Sequence, residues 1–416
     1  MHRRAILLAL LVGTAAFPAA AAPKAKSEAP VAASPLAMKA TTEEGYRIEE
    51  GFFPVKIKGR LVLLQGLIVK KSDLVGKLPI MLTTHGTTGA PKVRQDMIPR
   101  GMNDSNVRML RSYAQRGWLS VYVLRRGYGQ SDGPTPVTNV KCDGSPPTLQ
   151  DFMDADADDL EATLAYIGQR EDADTSRVMA LGVSGGGAAV VAMSARNIPG
   201  LKVVVNISGG VHLFACDANK NAARMVETMR HYGTQSKVPN LWYYAESDGL
   251  FPSQTVADMR AAFLEGGGYA KLFQYPKLTD FKTDKVVDGH RLWSSRASTI
   301  MVDVDGYLRN NNLPTWDFNE VKALATRIGI KNGTPVPSIL ELYLASPGYK
   351  ALAQSTTSET FLADAYNSAT QDAAEQSAIA ACQKHSGHIC KIVDPPPKAK
   401  ETSRGTGSES ASAGQN

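Results

Sequence analysis

The stretch Gly182-Val183-Ser184-Gly185-Gly186 decides how the chain is interpreted, because it matches the pattern G-x-S-x-G. The apolar run 177–183 leads into it and predicts a buried strand, and the small residues of 188–196 predict a helix after it. A serine between strand and helix adopts a strained turn, and glycines two residues away let neighbouring backbone approach it. An ordinary glycine-rich turn has the same composition, so the rest of the chain must distinguish a nucleophile from a structural turn.

The two ends of the 416-residue chain have compositions typical of export and of flexibility. Residues 1–22 combine a basic start, a short apolar core and small residues, which predicts a secretory signal peptide. The segments 23–40 and 394–416 are rich in Pro, Lys, Ala, Ser or Gly and predict a flexible leader and a disordered tail. We therefore expect a periplasmic or extracellular protein without a transmembrane segment.

The distribution of charge along the sequence gives no indication of a nucleic-acid-binding site. The formal net charge is +6, but part of it lies in the basic start and in the tail, and no run of five basic residues occurs. A mildly basic, solvated surface explains this balance.

The four cysteines of an exported chain predict two disulfides, for which three pairings are possible. We favour Cys382 with Cys390, which are close in sequence across a turn, and this leaves Cys142 with Cys216. No metal or other cofactor is predicted. Four possible zinc ligands are close together in the sequence, but their spacing fits no common zinc site: Cys382, His385, His388 and Cys390.

Between the flexible ends, strands alternate with helices, which predicts an α/β fold with a mostly parallel sheet covered on both faces. Antiparallel strands between residues 45 and 69 open this sheet. The acidic half of the helix 149–167 is predicted to be a solvated face. The further strands are predicted at 78–84, 118–124, 177–183, 203–208, 240–245 and 270–275. The helices are predicted at 107–116, 149–167, 188–196, 219–232, 255–264 and 297–308.

Several chemically active side chains come at or shortly after the ends of predicted strands. In a parallel sheet the functional loops leave the carboxyl ends of the strands, so His85, Arg125, Ser184, Asp248 and His290 are expected at one edge. A serine nucleophile needs a base, and the base needs a partner that fixes its tautomer. The order serine, aspartate, histidine supplies all three.

On these signatures, residues 45–313 resemble an α/β-hydrolase: His85-Gly86, Arg126 to Gly133, Gly182 to Gly186, and Asp248 followed by His290. The likeness is to the prolyl-oligopeptidase-like and dienelactone-hydrolase-like branches. Dienelactone hydrolases use a cysteine nucleophile, whereas residue 184 is serine, so the dienelactone substrate is not implied.

The resemblance implies a role for each site residue. Ser184 is the nucleophile, His290 the base and Asp248 the acid that orients it. The oxyanion is expected to bind the backbone N–H groups of Gly185 and Thr87, although sequence alone leaves Gly86 or Thr88 open for the second donor. His85 is expected to order its loop. The competing acids and base are Asp217, Asp280, Asp284, Asp288 and His212.

The expected organisation is a catalytic domain at 41–313 without a large cap, followed by a small module at 314–393. Three loops should shape the pocket: 87–103, 133–148 and 211–220. In the module, a helix at 370–382 and a strand at 389–393, joined by the Cys382–Cys390 bond, resemble a small module appended to some secreted bacterial proteins.

The sequence predicts a serine hydrolase that cleaves carboxylic esters through an acyl-enzyme, with a small-molecule ester or short peptide as substrate. An aminopeptidase or dipeptidyl-peptidase is the alternative, but no Glu-Glu pair lies in a predicted rim loop to bind a substrate amino terminus. A non-catalytic binding protein on the same fold is a second alternative, which the presence of all three triad residue types disfavours.

Overall fold

The structure is a computed structural model, and it describes residues 38–135, 139–280, 283–316, 319–331, 333–334, 337 and 339–395. The predicted signal peptide lies outside these residues, as do most of the predicted leader and tail. Within the described part of the chain, no helix is both long enough and apolar enough to cross a membrane.

A nine-stranded sheet forms the centre of the molecule, in the order β1-β2-β3-β5-β4-β6-β7-β8-β9. The strands from β4 to β9 run parallel, and β1 to β3 form an antiparallel edge. This arrangement confirms the predicted fold class. The strands are β1 (Lys39–Glu43), β2 (Tyr46–Ile57), β3 (Arg60–Lys71), β4 (Leu78–Thr84), β5 (Leu119–Val123), β6 (Ala173–Val183), β7 (Leu201–Ile207), β8 (Asn240–Ala245) and β9 (Ala270–Tyr275).

Helices cover both faces of this sheet, because the central strands are apolar on both sides. Every residue of β4, β5 and β8 is buried. One face packs against α3 to α6 and the other against α2 and α7. The helices are α1 (Pro91–Gln95), α2 (Ser105–Gln115), α3 (Leu149–Ile167), α4 (Gly185–Ser194), α5 (Ala218–Gln235), α6 (Ser253–Glu265) and α7 (Leu292–Asn310).

The C-terminal module contains more strand than the sequence predicts. A three-stranded antiparallel sheet, in the order β11-β10-β12, packs against a helix, α10. The sequences of β10 and β11 are YKALAQS and LADAYNS, which lack the β-branched residues that favour strands, so neither strand was predicted. The elements are α8 (Asn319–Arg327), α9 (Ile339–Ala345), β10 (Tyr349–Ser355), β11 (Leu362–Ser368), α10 (Gln371–Ser386) and β12 (Cys390–Asp394).

Both disulfides have the pairing that the sequence favours. Cys142 is bonded to Cys216, which joins the loop before α3 to the loop before α5. Cys382 of α10 is bonded to Cys390 of β12, so these two sulfurs are not available as thiolate ligands for zinc. The module therefore has a covalent link between its helix and its sheet.

A buried ion cluster joins the module to the face of the sheet that α2 and α7 cover. Arg116, at the end of α2, binds Asp305 of α7 through two hydrogen bonds of 2.7 and 2.5 Å. The same guanidinium contacts Glu341 of α9, and all three side chains are almost fully buried. Burial raises the pKa of Glu341 above its ordinary value, although the Arg116 charge opposes this shift. Arg116 thus balances the charge of carboxylates from two other helices.

We expect Arg116→Met to lower the free energy of unfolding by about 3–5 kcal/mol, because the two carboxylates would lose their buried cation. Urea denaturation followed by circular dichroism measures the change. Arg230→Met is the matched control, since its ion pair with Glu265 is exposed and should contribute less than about 1 kcal/mol. Equal effects of the two substitutions would contradict this account of the cluster.

Candidate active site

Ser184 lies in a sharp turn between β6 and α4, with backbone angles φ 55° and ψ −123°. This left-handed region is costly for a residue with a side chain, by about 1–3 kcal/mol. The flanking glycines are required by close packing: a Cβ on Gly182 would overlap the carbonyl oxygen of Gly186, and a Cβ on Gly186 would overlap that of His85. The sequence G-x-S-x-G is therefore needed for the turn to form.

Hydrogen bonds from the neighbouring strand hold the turn in place. The Ser184 N–H donates to the carbonyl oxygen of Ile207 in β7 at 2.9 Å. The Ser184 carbonyl accepts from the N–H of Gly210 at 3.2 Å and from that of Ala188 at 3.0 Å. The backbone of Ser184 is thus fixed on both sides, and its side chain is left to point away from the sheet.

The His290 ring lies between Ser184 and Asp248. Its Nε2 is 3.0 Å from Ser184 Oγ, and its Nδ1 is 3.1 Å from Asp248 Oδ2. His290 belongs to a 3₁₀ turn, Gly289–Arg291, that directly precedes α7. Phe251 packs beside the ring, with centroids 5.8 Å apart. The structure therefore brings together the three residues that the sequence order selects.

Asp248 is buried and hydrogen-bonded on both carboxylate oxygens. Its Oδ1 accepts the N–H groups of Leu250 at 2.9 Å and Phe251 at 3.0 Å, and its Oδ2 faces His290. This turn after β8 leaves the carboxylate in one orientation. It can hold the imidazole with Nδ1 protonated, so that Nε2 is free to accept a proton from the serine.

The competing acids Asp217, Asp280 and Asp288 have other partners. Both ring nitrogens of His290 are already engaged, while Asp288 Oδ1 accepts the backbone N–H of His290 at 2.9 Å. Asp280 accepts hydrogen bonds from Thr283, and Asp217 caps the N-terminus of α5. Asp284 lies in a turn, where its N–H donates to the carbonyl oxygen of Asp280, and His212 lies beside the Phe214 ring.

Two backbone N–H groups lie next to the serine. Gly185 is the first residue of α4, so its N–H is directed out of the helix end, where the helix dipole favours negative charge. Thr87 packs against it: the Thr87 nitrogen lies 3.1 Å from the position that a Cβ on Gly185 would occupy. Thr88 uses its hydroxyl to accept the N–H of Ala90. Gly86 is also adjacent, since a Cβ on it would lie 3.2 Å from the Ser184 Cβ, so the choice of Gly185 and Thr87 as oxyanion donors stays a prediction.

A buried arginine behind the loop 85–88 holds it in place. Arg125 donates to the carbonyl oxygen of His85 at 2.6 Å and to Thr84 Oγ1 at 2.9 Å. His85 in turn donates from Nδ1 to the carbonyl of Gly86 at 2.7 Å and accepts the N–H of Arg125 at Nε2, at 3.1 Å. Burial and the nearby Arg125 charge lower the pKa of His85 well below its ordinary value, so the ring is neutral. His85 orders this loop, as the sequence predicts.

The prediction that the acidic residues of α3 form a solvated face is wrong for Asp156 and Asp159, which are buried. Asp156 Oδ2 lies 3.1 Å from Arg125 Nε, and Asp159 binds the side chain and N–H of Arg126 at 2.5 and 2.7 Å. Burial raises the pKa of Asp159 to about 6 against the opposing effect of Arg126. Asp156 lies three residues after Met153 and four before Leu160, both of which are buried. This helical spacing puts Asp156 on the buried face and could have predicted its burial from the sequence.

The sequence matches the model of a known protein family. Residues 21–242, more than half of the chain, match the X-Pro dipeptidyl-peptidase (S15 family) profile. The matched residues include Ser184 and the loop with His85 and Thr87, and they end before Asp248 and His290. Among curated proteins, none matches.

Solved structures share a more distant similarity. Acetyl xylan esterase 1 from Thermoanaerobacterium is 16% identical over 62% of this chain and 85% of its own, with a TM-score of 0.40. An esterase from Pyrococcus furiosus is 14% identical over 63% of this chain and 90% of its own, with a TM-score of 0.43. A dienelactone hydrolase-like promiscuous phosphotriesterase from metagenomic libraries is 12% identical over 62% and 97%, with a TM-score of 0.42. The activities in these names are those of the other proteins.

The neutral His85 predicts a loss of stability in acid. Its folded-state pKa lies well below the ordinary value of 6.5, so below pH 6.5 the unfolded chain binds a proton that the folded chain excludes. The free energy of unfolding therefore falls as the pH drops below 6.5, and the His85 contribution is constant above it. From pH 7.5 to 5.0 we expect the free energy of unfolding of His85→Gln to fall less than that of the wild type, by up to about 2 kcal/mol, as measured by urea denaturation.

His388, an exposed histidine of the C-terminal module, supplies the control for this measurement. His388→Gln should retain the wild-type difference between the two pH values, because its ring lies at the surface. If His85→Gln kept the full pH dependence as well, the buried, neutral state of His85 would be disproved.

Proposed function

The chain belongs to the X-Pro dipeptidyl-peptidase (S15) family and is a serine hydrolase with the α/β-hydrolase fold, and from this premise we propose that it hydrolyses carboxylic esters. We assign Ser184 as the nucleophile, His290 as the general base and acid, and Asp248 as the residue that orients His290. The observation that carries this proposal is the continuous hydrogen-bonded chain from Ser184 Oγ through both nitrogens of His290 to Asp248.

The proposed reaction proceeds in two steps through an acyl-enzyme. Ser184 Oγ attacks the ester carbonyl carbon while His290 Nε2 takes the hydroxyl proton, and the proton then passes to the departing alcohol as its C–O bond breaks. A water molecule attacks the acyl-enzyme in the second step, giving its proton to His290. The carboxylic acid leaves as Ser184 regains a proton from His290.

Negative charge develops on the carbonyl oxygen in both steps, and we assign the N–H groups of Gly185 and Thr87 to bind it. The first belongs to the end of α4, and the second belongs to the loop that Arg125 and His85 hold. Fixed donors of this kind stabilise the transition state without having to reorganise. The Arg125–Asp156 ion pair thereby helps to hold the Thr87 N–H in position.

The acidic residues of the pocket loops favour an ester over a peptide. A peptidase that binds a substrate amino terminus needs free carboxylates near the serine. Within the described parts of the three loops 87–103, 133–148 and 211–220, each loop has one carboxylate, and each has a local partner. These pairs are Asp96 with Lys92, Asp143 with Ser145, and Asp217 with the N-terminus of α5.

A dipeptidyl-peptidase is the second candidate, and the family match favours it. The same serine, histidine and aspartate would cleave an amide, with the amine as leaving group. A non-catalytic binding protein is disfavoured, because such a protein has no need for an aligned serine, histidine and buried carboxylate.

We also propose that the protein is exported and acts in the periplasm or outside the cell. The basic and apolar start of the sequence supports this localisation, and so do the two disulfides, which form and persist in oxidising compartments.

Covalent labelling tests the nucleophile. We expect the wild type to react with a fluorophosphonate probe and Ser184→Ala to lose labelling completely, because the probe forms a bond to the activated serine oxygen. Ser208→Ala is the matched control. Like Ser184, Ser208 directly follows a strand and has a positive φ, but it is not part of the hydrogen-bonded chain from Ser184 to Asp248. Labelling that persists in Ser184→Ala would disprove the assignment.

Comparing leaving groups distinguishes the two candidate activities. We expect kcat/KM for p-nitrophenyl butyrate to exceed that for aminoacyl- and X-Pro-dipeptidyl-p-nitroanilides by at least about 100-fold, a difference of about 2.7 kcal/mol in activation free energy. Initial rates at 405 nm measure both classes. Faster cleavage of the X-Pro anilide would establish the peptidase instead.

A further inference from the structure

A groove of about 590 Å³ separates the start of α7 from the C-terminal module. One wall consists of residues from 278–280 and 287–296, and the other of Phe361 and residues from α9, β11 and α10. The residues that matter most for its chemistry are Leu278, Val287, Arg291, Arg296, Phe361 and Leu362. None of the three loops expected to shape the pocket contributes to it.

The groove borders the turn that contains the proposed catalytic base, although none of Ser184, Asp248 and His290 lines it. Arg291 lines it and directly follows His290 in the 3₁₀ turn Gly289–Arg291, so their Cα atoms are about 3.8 Å apart. The α7 helix is interrupted at Arg296, where φ is −138° and ψ is 18°, and Ser294, Ser295 and Arg296 all line the groove. The groove and the proposed catalytic base therefore share one short turn of the chain.

The charged groups of the groove favour an anion. Among the described residues, the Arg291 guanidinium has neither an ion-pair nor a hydrogen-bond partner. Arg296 adds a second positive charge, and His385 lies on the opposite wall. Two carboxylates also face the groove, but Asp364 is paired with Arg108, and Asp280 accepts two hydrogen bonds from Thr283. The positive charge of Arg291 is therefore available to a ligand.

The apolar groups of the groove favour a hydrocarbon part in the same ligand. Leu278 and Val287 lie on one wall, and Phe361, Leu362 and Ile339 lie on the other. Inorganic anions would leave these side chains uncovered. An acyl chain or an aromatic ring would bury them and gain about 25 cal/mol for each Å² of apolar surface removed from water.

We propose that this groove binds the part of the substrate that carries a carboxylate on an apolar chain, and that Arg291 is its carboxylate-binding residue. The substrate class is thereby an ester whose distal end is an acid, with the ester carbonyl at Ser184 and the carboxylate at Arg291. This assignment rests on the proposed hydrolase function, and the C-terminal module becomes one wall of the substrate site.

Binding of a ligand that cannot be hydrolysed tests the groove apart from catalysis. Isothermal titration of the full-length protein compares 4-phenylbutanoate with its neutral analogue 4-phenylbutanamide. We expect the carboxylate to bind about tenfold more tightly, as a charge-assisted hydrogen bond to arginine predicts. Arg291→Gln should abolish this difference. The control Arg60→Gln should retain it, because this exposed arginine of the β2–β3 hairpin does not line the groove.

Equal binding of acid and amide by the wild type would overturn the proposal, and so would a preference that survives Arg291→Gln. Inorganic phosphate binding as tightly as 4-phenylbutanoate would overturn it too, since the apolar wall would then play no part.

A kinetic comparison separates this proposal from the proposed function. Mono-p-nitrophenyl suberate and its methyl-capped diester differ only in the distal charge. Arg291→Gln should lower the ratio of kcat/KM for the acid to kcat/KM for the diester about tenfold. Hydrolysis of both esters with no acid preference would overturn the groove assignment and leave the esterase standing. Carboxylate binding at Arg291 without hydrolysis of either ester would reject the esterase and retain the site.

Discussion

The strained backbone of Ser184 is the constraint on which the other parts of the site depend. A positive φ at a residue with a side chain is maintained only when its surroundings over-determine it. Here the N–H and the carbonyl of Ser184 are bound by Ile207 and Gly210, on the two sides of the β7 end. The glycines at 182 and 186 let β6, α4 and the loop after β4 pack within contact distance. The parallel sheet and its connections thus fix the serine backbone through contacts that do not involve His290 or Asp248.

Buried charge forms the next layer around the serine. Arg125 and Arg126 leave the end of β5 and meet Asp156 and Asp159 of α3, so a helix on one face of the sheet supports loops at its carboxyl edge. Arg125 and both carboxylates are almost completely buried and Arg126 is mostly buried, so the geometry of each pair matters more than its net contribution to stability. The loop with Thr87 takes its position from this layer through hydrogen bonds to Arg125.

The sequence was most informative where a periodic apolar pattern meets a residue with special chemistry. The bounds of α3, β4, β8 and β9 are those predicted, and the serine, aspartate and histidine lie within hydrogen-bonding reach as their chain order suggests. Charge misled the prediction in α3, because composition alone does not show which aspartates meet an arginine in the fold. The strands β10 and β11 are built from alanine and polar residues, so only their tertiary partners make them strands. The groove beside Arg291 joins segments about seventy residues apart, which no local pattern reveals.

The ion cluster around Arg116 determines whether the predicted catalytic domain can be separated from the C-terminal module. One of its three members, Glu341, comes from a helix beyond the predicted catalytic boundary at residue 313. A chain cut at that boundary would expose the outer surface of α2 and leave the guanidinium with a single carboxylate. A recombinant chain therefore needs to include α9 together with the large sheet, and a chain shortened at residue 313 would have to replace that carboxylate.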